Sequence, residues 1–214
     1  MEPAVRFGAK LIAVTGLMRS GTSPLAMFLH QMGVSMGTYQ RFPTQNEWAH
    51  FEWEDASLAD PLCSILMHPS DRDDPRRFID SYVRRRARDA NGKPWGVKTP
   101  FLLPFLDELR EVCAEINEDL EIALTEREYG ETIKSLRRQS SHLSEFERGG
   151  LMPTVFSIQE KLRDCWEAAS EGSYLFHVDD TIKYPRMAAE RLAKLAGVET
   201  DLDMAIRGFR GRGL

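Results

Sequence analysis

The sequence predicts a three-layer α/β fold, a mostly parallel central sheet with helices on both faces. Two observations predict it. Short apolar runs alternate along the chain with stretches of helical periodicity, and the first run opens into a loop with the spacing of a phosphate-binding turn. The chain has 214 residues, 42% of them apolar, enough for a single domain over 1–214 to bury a substantial core.

Leu11 to Thr15 is a short apolar run ending at Gly16, as expected of a strand buried on both faces. After the loop GLMRSGTS, Pro24 to Met32 is rich in helix formers. Thr22 or Ser23 is suited to cap that helix, and Pro24 falls in its first turn, where a missing N–H costs no intrahelical bond. Residues 35 to 53, SMGTYQRFPTQNEWAHFEW, hold turn formers and aromatics without a sustained period and read as a loop crossing the open end of the sheet. Residues 75 to 89 read as a helix with Phe78, Ile79, Tyr82 and Val83 on one side and Arg76, Arg77, Arg84, Arg85, Arg86 and Arg88 largely elsewhere. That arginine face is either simply solvated or a docking surface for an acidic acceptor.

Trp95 to Lys98 is a short strand candidate. Phe101 to Ile116 places Leu102, Phe105, Leu106, Leu109, Val112, Cys113 and Ile116 at helical spacing. Leu120 to Thr125 reads as a buried strand leading into a helix over 129–138, and the polar stretch Gln139 to Gly150 as a surface loop. Val155, Ile158, Leu162, Cys165, Trp166 and Ala169 mark another helix, and Tyr174 to Val178 a strand. Met187, Leu192, Leu195 and Ala196 mark a final amphipathic helix stopped by Gly197. In such a sheet, ligands bind at the carboxyl ends of the strands.

Composition narrows the function. A net charge of −5 gives no global attraction to nucleic acid or to an anionic membrane, so anion binding has to rest on a local cluster of cations. The three cysteines, Cys63, Cys113 and Cys165, have neither a disulfide framework nor metal-ligand spacing, which suits a reducing, cytoplasmic setting. No apolar run approaches membrane-spanning length, and the first sixteen residues lack a secretory cleavage pattern. His30, His68, His142 and His177 lack partners at recognised metal spacing.

The loop carries the chemistry. Its spacing matches G-x-x-x-x-G-K-[ST], but Thr22 replaces the lysine that reaches the β- and γ-phosphates of a nucleoside triphosphate. Backbone N–H groups at a helix N-terminus still hold a phosphate, with Gly21 permitting close approach and Thr22 and Ser23 adding hydroxyl donors. Arg19 adds positive charge on the other side of the loop. The ligand implied is phosphate-bearing but not ATP-like.

GLMRSGTSPLAMFLHQMGVSMG, followed in order by HFEWED, WGVKTP and LTEREYGETIKSLRR, resembles the bacterial sulfotransferases that use 3′-phosphoadenosine 5′-phosphosulfate (PAPS). The resemblance covers roughly residues 10 to 140, and SYLFHVDDTIKYPRMAAERLAKLAGV is similar to that family's closing strand and helix. By position it implies that Arg19, Ser20, Gly21, Thr22 and Ser23 hold the 5′-phosphosulfate. It also implies that Arg127 and Ser135 hold the 3′-phosphate, a pairing that also suits a charge-assisted phosphate clamp. Ordinary surface pairing of Arg127 with Glu126, Glu128 or Glu131 is the competing possibility. Glu128 and Tyr129 replace the family's usual Asp-Pro.

Lys98, ending its strand in GVKTP, is implied to face the transferring group or the acceptor; the competing possibility is a surface lysine. Pro100 favours extended backbone at Thr99. In HFEWED, which the resemblance sets near the acceptor, His50, Glu52 and Glu54 are the candidate bases, with Glu52 favoured. Glu54 and Asp55 also suit helix N-terminal carboxylates. Trp48, Phe51 and Trp53 suit either adenine stacking or core packing. The tail RGFRGRGL, with Arg210 and Arg212, suits a frayed end or a cover over the 3′-phosphate.

The expected activity is in-line sulfuryl transfer from PAPS to a hydroxyl or amine of a small-molecule or carbohydrate acceptor. It calls for no metal, nucleic-acid partner or membrane span. Two rivals stand beside it. One is a small-molecule kinase using Asp179 or Asp180 to hold magnesium, which Thr22 argues against; the other is a nucleotide-binding module without turnover.

Overall fold

A computed structural model describes residues 8–37, 55–69, 74–140 and 145–210. Strand β1 (Lys10–Gly16) lies between β2 (Trp95–Lys98) and β3 (Asp119–Glu126), and β4 (Tyr174–His177) extends the sheet beyond β3. All pairings are parallel, in the order β2-β1-β3-β4. The helices are α1 (Thr22–Gln31), α2 (Ala56–Met67), α3 (Pro75–Ala90), α4 (Leu106–Glu115), α5 (Tyr129–Gln139), α6 (Glu145–Ser170), α7 (Val178–Lys183), α8 (Pro185–Ala196) and α9 (Leu202–Arg210). None of the described helices is long and apolar enough to cross a membrane.

The apolar run of β1 follows from its central place. Leu11 and Ala13 enter one core, with Leu58 and Leu62 of α2, Ile79 and Val83 of α3, Leu109 of α4 and Leu162 of α6. Ile12 and Val14 enter a second core with Leu25 and Phe28 of α1, Leu192 of α8 and Ala205 of α9. A parallel strand covered on both faces has no solvent side for polar residues, so the run is continuous rather than alternating. These are the three layers expected.

Local chemistry shifts several boundaries. No described side chain caps α1, because Gly21 itself takes the N-cap position with φ 93° and neither Thr22 nor Ser23 does the capping. The predicted helix over 101–116 begins as a 3₁₀ turn, Pro100–Phe105, since Pro104 cannot donate within an α-helix; α4 starts only at Leu106. Thr99 is extended, as the following proline requires. The stretch read as a surface loop, Gln139–Gly150, is partly helical, because α6 begins at Glu145 and runs through Gly149, Gly150 and Pro153. Helix α2, with Pro61 inside it, has no counterpart in the periodicity. Strand β4 stops at His177, where α7 takes over.

Helix α8 ends as expected on left-handed Gly197, but Met187 is exposed and α9 follows, taking up Arg207 to Arg210 of the supposed tail. On α3, Phe78 is exposed, whereas Arg86 is buried against the ring of Trp95 and donates to the Ser35 carbonyl (3.0 Å). Several of the other arginines engage within the chain. Arg76 reaches Glu111 and Glu115, Arg84 reaches Asp80 and Glu115, and Arg85 reaches the Ser57 hydroxyl.

Candidate functional site

The β1–α1 loop leaves the carboxyl edge of the sheet at its centre, and three of its residues have positive φ: Gly16 (148°), Arg19 (66°) and Gly21 (93°). Two of these positions require glycine. A Cβ on Gly16 would stand 2.8 Å from the Thr125 carbonyl oxygen and 2.9 Å from Ser20 Oγ, and one on Gly21 would stand 2.9 Å from Val178 Cβ. The backbone is thus pressed against β3 on one side and against the first residue of α7 on the other. Arg19 has no such licence. A left-handed L-residue costs about 1–2 kcal/mol, and such strain persists only where neighbours over-determine it.

Those neighbours are visible. The Arg127 guanidinium, just past the end of β3, donates through Nη1 to the Arg19 carbonyl (3.3 Å). Arg19 Nε donates to Ser135 Oγ on α5 (3.2 Å). One residue earlier, Met18 N–H donates to Gln159 Oε1 (3.0 Å), and Gln159 Nε2 donates to the Met18 carbonyl (3.3 Å). One residue later, both Ser20 N–H (3.2 Å) and Ser20 Oγ (2.6 Å) reach the Leu17 carbonyl.

Under the loop lies a chain of buried hydroxyls. Ser20 Oγ and Thr125 Oγ1 are 2.5 Å apart, Thr125 Oγ1 reaches the Thr15 carbonyl (3.2 Å), and Thr15 Oγ1 donates to the Thr99 carbonyl (3.0 Å). Ser20 and Thr125 together serve three contacts with two protons, so one contact is always without a hydrogen. Ser20 is fully buried and its hydroxyl braces the loop from inside.

Arg19, Arg127 and Ser135 therefore meet, although Arg127 and Ser135 follow Arg19 by 108 and 116 residues. The acids flanking Arg127 are engaged elsewhere. Glu126 lies 2.9 Å from His177 Nδ1 across the β3–β4 pair, and Glu131 pairs with Lys134. Glu128 caps α5, its two oxygens accepting from Gly130 N–H and Glu131 N–H at 2.8 Å each. Lys134, through its hydrogen bond and its charge, holds Glu131 below the usual carboxylate range, with Arg127 adding a smaller share.

Lys98 is buried at the end of β2 in register with Val14, on the same sheet edge as the loop; the next residue, Thr99, ties that end of β2 to β1. Thr22 is buried and Ser23 half-buried in the first turn of α1. Asp179 and Asp180 are exposed in the first turn of α7. Asp55 is the N-cap of α2, accepting from Ser57 N–H (3.1 Å) as a helix N-terminal carboxylate. His50, Glu52 and Glu54, with Trp48, Phe51 and Trp53, lie outside the described residues, as does Arg212. Arg210 is the last residue of α9.

Sequence reasoning missed Gln159 and Thr132. Gln159 sits in α6 between Val155 and Leu162, four residues after one and three before the other, and is fully buried. A polar residue on an apolar helical stripe is the signal that would have found it. Taken together, the site offers two guanidinium groups, a helix N-terminus and hydroxyls around one strained turn, a donor-rich surface suited to anionic oxygens. No protein-family model matches the chain, and no curated protein is found as a relative.

Proposed function

We propose that this protein is a PAPS-dependent sulfotransferase. One observation carries the reading: an arginine and a serine from the β3–α5 segment converge on the strained Arg19 of a phosphate-type loop that lacks the triphosphate lysine. Two guanidinium groups from separate segments suit a ligand with two anionic ends better than a single phosphate chain. The donor set fits. Gly21 allows backbone approach at the N-terminus of α1 for the 5′-phosphosulfate, while Arg127 and Ser135, which both contact Arg19, would take the 3′-phosphate.

Sulfuryl transfer builds negative charge on the leaving phosphate oxygen as the acceptor oxygen or nitrogen attacks in line. Arg19, the α1 N-terminal amides and Lys98 would stabilise that charge and orient the donor, and Glu52 or His50 would take the acceptor's proton. The acceptor class is a small molecule or carbohydrate bearing a hydroxyl or amine.

Calorimetric titration with 3′-phosphoadenosine 5′-phosphate tests the reading. We expect binding in EDTA, and we expect Arg127→Ala and Ser135→Ala to weaken the bisphosphate by about 1.5–3 kcal/mol and adenosine 5′-phosphate by far less, the smaller loss coming from the contacts both make with Arg19. No heat from the bisphosphate would sink the proposal, and equal losses for both ligands would remove Arg127 and Ser135 from it. Transfer of labelled sulfate to an acceptor library separates an enzyme from a binding module. Within that assay, Glu52→Gln should stop turnover yet keep bisphosphate affinity, and full turnover would move the base to His50 or Glu54.

A further inference from the structure

Gln159 is fully buried in α6, yet its carboxamide makes three hydrogen bonds that leave its own helix. Its carboxamide lies against Met18, accepting from the N–H and donating to the C=O of the same residue, as a neighbouring strand would. The second Nε2 hydrogen goes to Thr132 Oγ1 (3.1 Å). Thr132, also fully buried, gives its own proton to the Tyr129 carbonyl (2.6 Å), so toward Gln159 it acts only as an acceptor. That fixes the amide orientation: the oxygen faces Met18 N–H, and the nitrogen faces the two acceptors. The buried Met18 peptide, immediately before the left-handed Arg19, thereby gains both its partners from a side chain of α6.

We propose that Gln159 is the positioning residue for the phosphate-type loop, setting the left-handed turn at Arg19 and tying it to the segment that carries Arg127 and Ser135. Its functional consequence rests on the nucleotide reading above. The amide serves one acceptor-and-donor pattern that neither a carboxylate nor an apolar side chain reproduces. A carboxylate at this position would set one oxygen, in place of the amide nitrogen, against both the Met18 carbonyl and the Thr132 hydroxyl oxygen, whereas the protonated acid restores one donor there.

The test is Gln159→Glu, titrated with 3′-phosphoadenosine 5′-phosphate at about pH 8 and about pH 5, each value divided by that of the wild-type chain so that the ligand's own ionisation cancels. At the higher pH we expect affinity about ten- to a hundredfold below wild type, the penalty for opposed buried polar groups, with return to within a few fold at the lower pH. Gln159→Met, similar in volume and uncharged, should lose affinity to a similar degree at both pH values and keeps the test decisive if the glutamate variant fails to fold. Wild-type affinity in folded Gln159→Met or Gln159→Glu at the higher pH overturns the proposal, as does an affinity loss in Gln159→Glu that low pH does not relieve. Hydrogen exchange at the Met18 amide needs no ligand. It should be slow in wild type and much faster in Gln159→Met, and equal rates overturn the clamp. If the wild-type chain ignores the bisphosphate, the nucleotide reading falls while this exchange comparison still judges Gln159.

Discussion

Arg19 shows how much a single backbone angle says about a site. Among the described residues, Arg19, Asn91 and Asn117 are the non-glycine residues with positive φ, and both asparagines follow helices, where that geometry is inexpensive. Arg19 occupies it inside the loop, its carbonyl held by Arg127 and the preceding Met18 held by Gln159. Replacing it with glycine should therefore raise stability by about 1 kcal/mol, read from the urea midpoint, while bisphosphate affinity drops with the lost guanidinium. A lower midpoint in Arg19→Gly than in Arg19→Ala would mean that no strain is stored there. That Arg127 and Ser135 belong together with the loop was legible only through the order of segments in the family resemblance, and the structure brings both against Arg19. Gln159 was not, since its partner is a peptide group 141 residues away and no spacing rule links them.

The elements were legible where periodicity and punctuation agreed. Strand β1, helix α3 and the Gly197 stop of α8 follow directly from burial pattern and left-handed glycine. The start of α6 did not, because ERGGLMP reads locally as a turn, while helical context overrides two exposed glycines and a proline that forfeits one hydrogen bond. A Cβ at Gly149 or Gly150 would meet nothing within 4 Å, and neither has positive φ. Each glycine-to-alanine change should therefore stabilise the fold by about 0.5–1 kcal/mol in denaturant titration. Destabilisation would show that this first part of α6 needs glycine for close packing. Glu128 stands beside Arg127 where the resembled family has a different residue. Its capping bonds to Gly130 and Glu131 show why an acid is accommodated there.

Across the whole molecule, one central strand separates two cores, and the candidate site forms where β1, β3 and the β4–α7 junction end together. The layer arrangement was legible in the alternation of runs; the strand order was not, because periodicity carries no information about which strands are neighbours. Coupling between the site and the fold gives a test on the intact chain. With 3′-phosphoadenosine 5′-phosphate at a hundred times its dissociation constant, stability should rise by about 2.7 kcal/mol and the melting temperature with it, in the presence of EDTA. Stabilisation by ATP with magnesium instead would favour a kinase.

The sheet order also governs when the site is completed during synthesis. Both neighbours of β1 emerge from the ribosome after it, and the side chain that grips Met18 follows that residue by 141 positions. A nascent chain that has released its first three strands and α5 but not α6 already has Arg19, Arg127 and Ser135, yet lacks the Gln159 contact to Met18, so on the proposed reading the anion-binding turn is completed only once α6 has emerged.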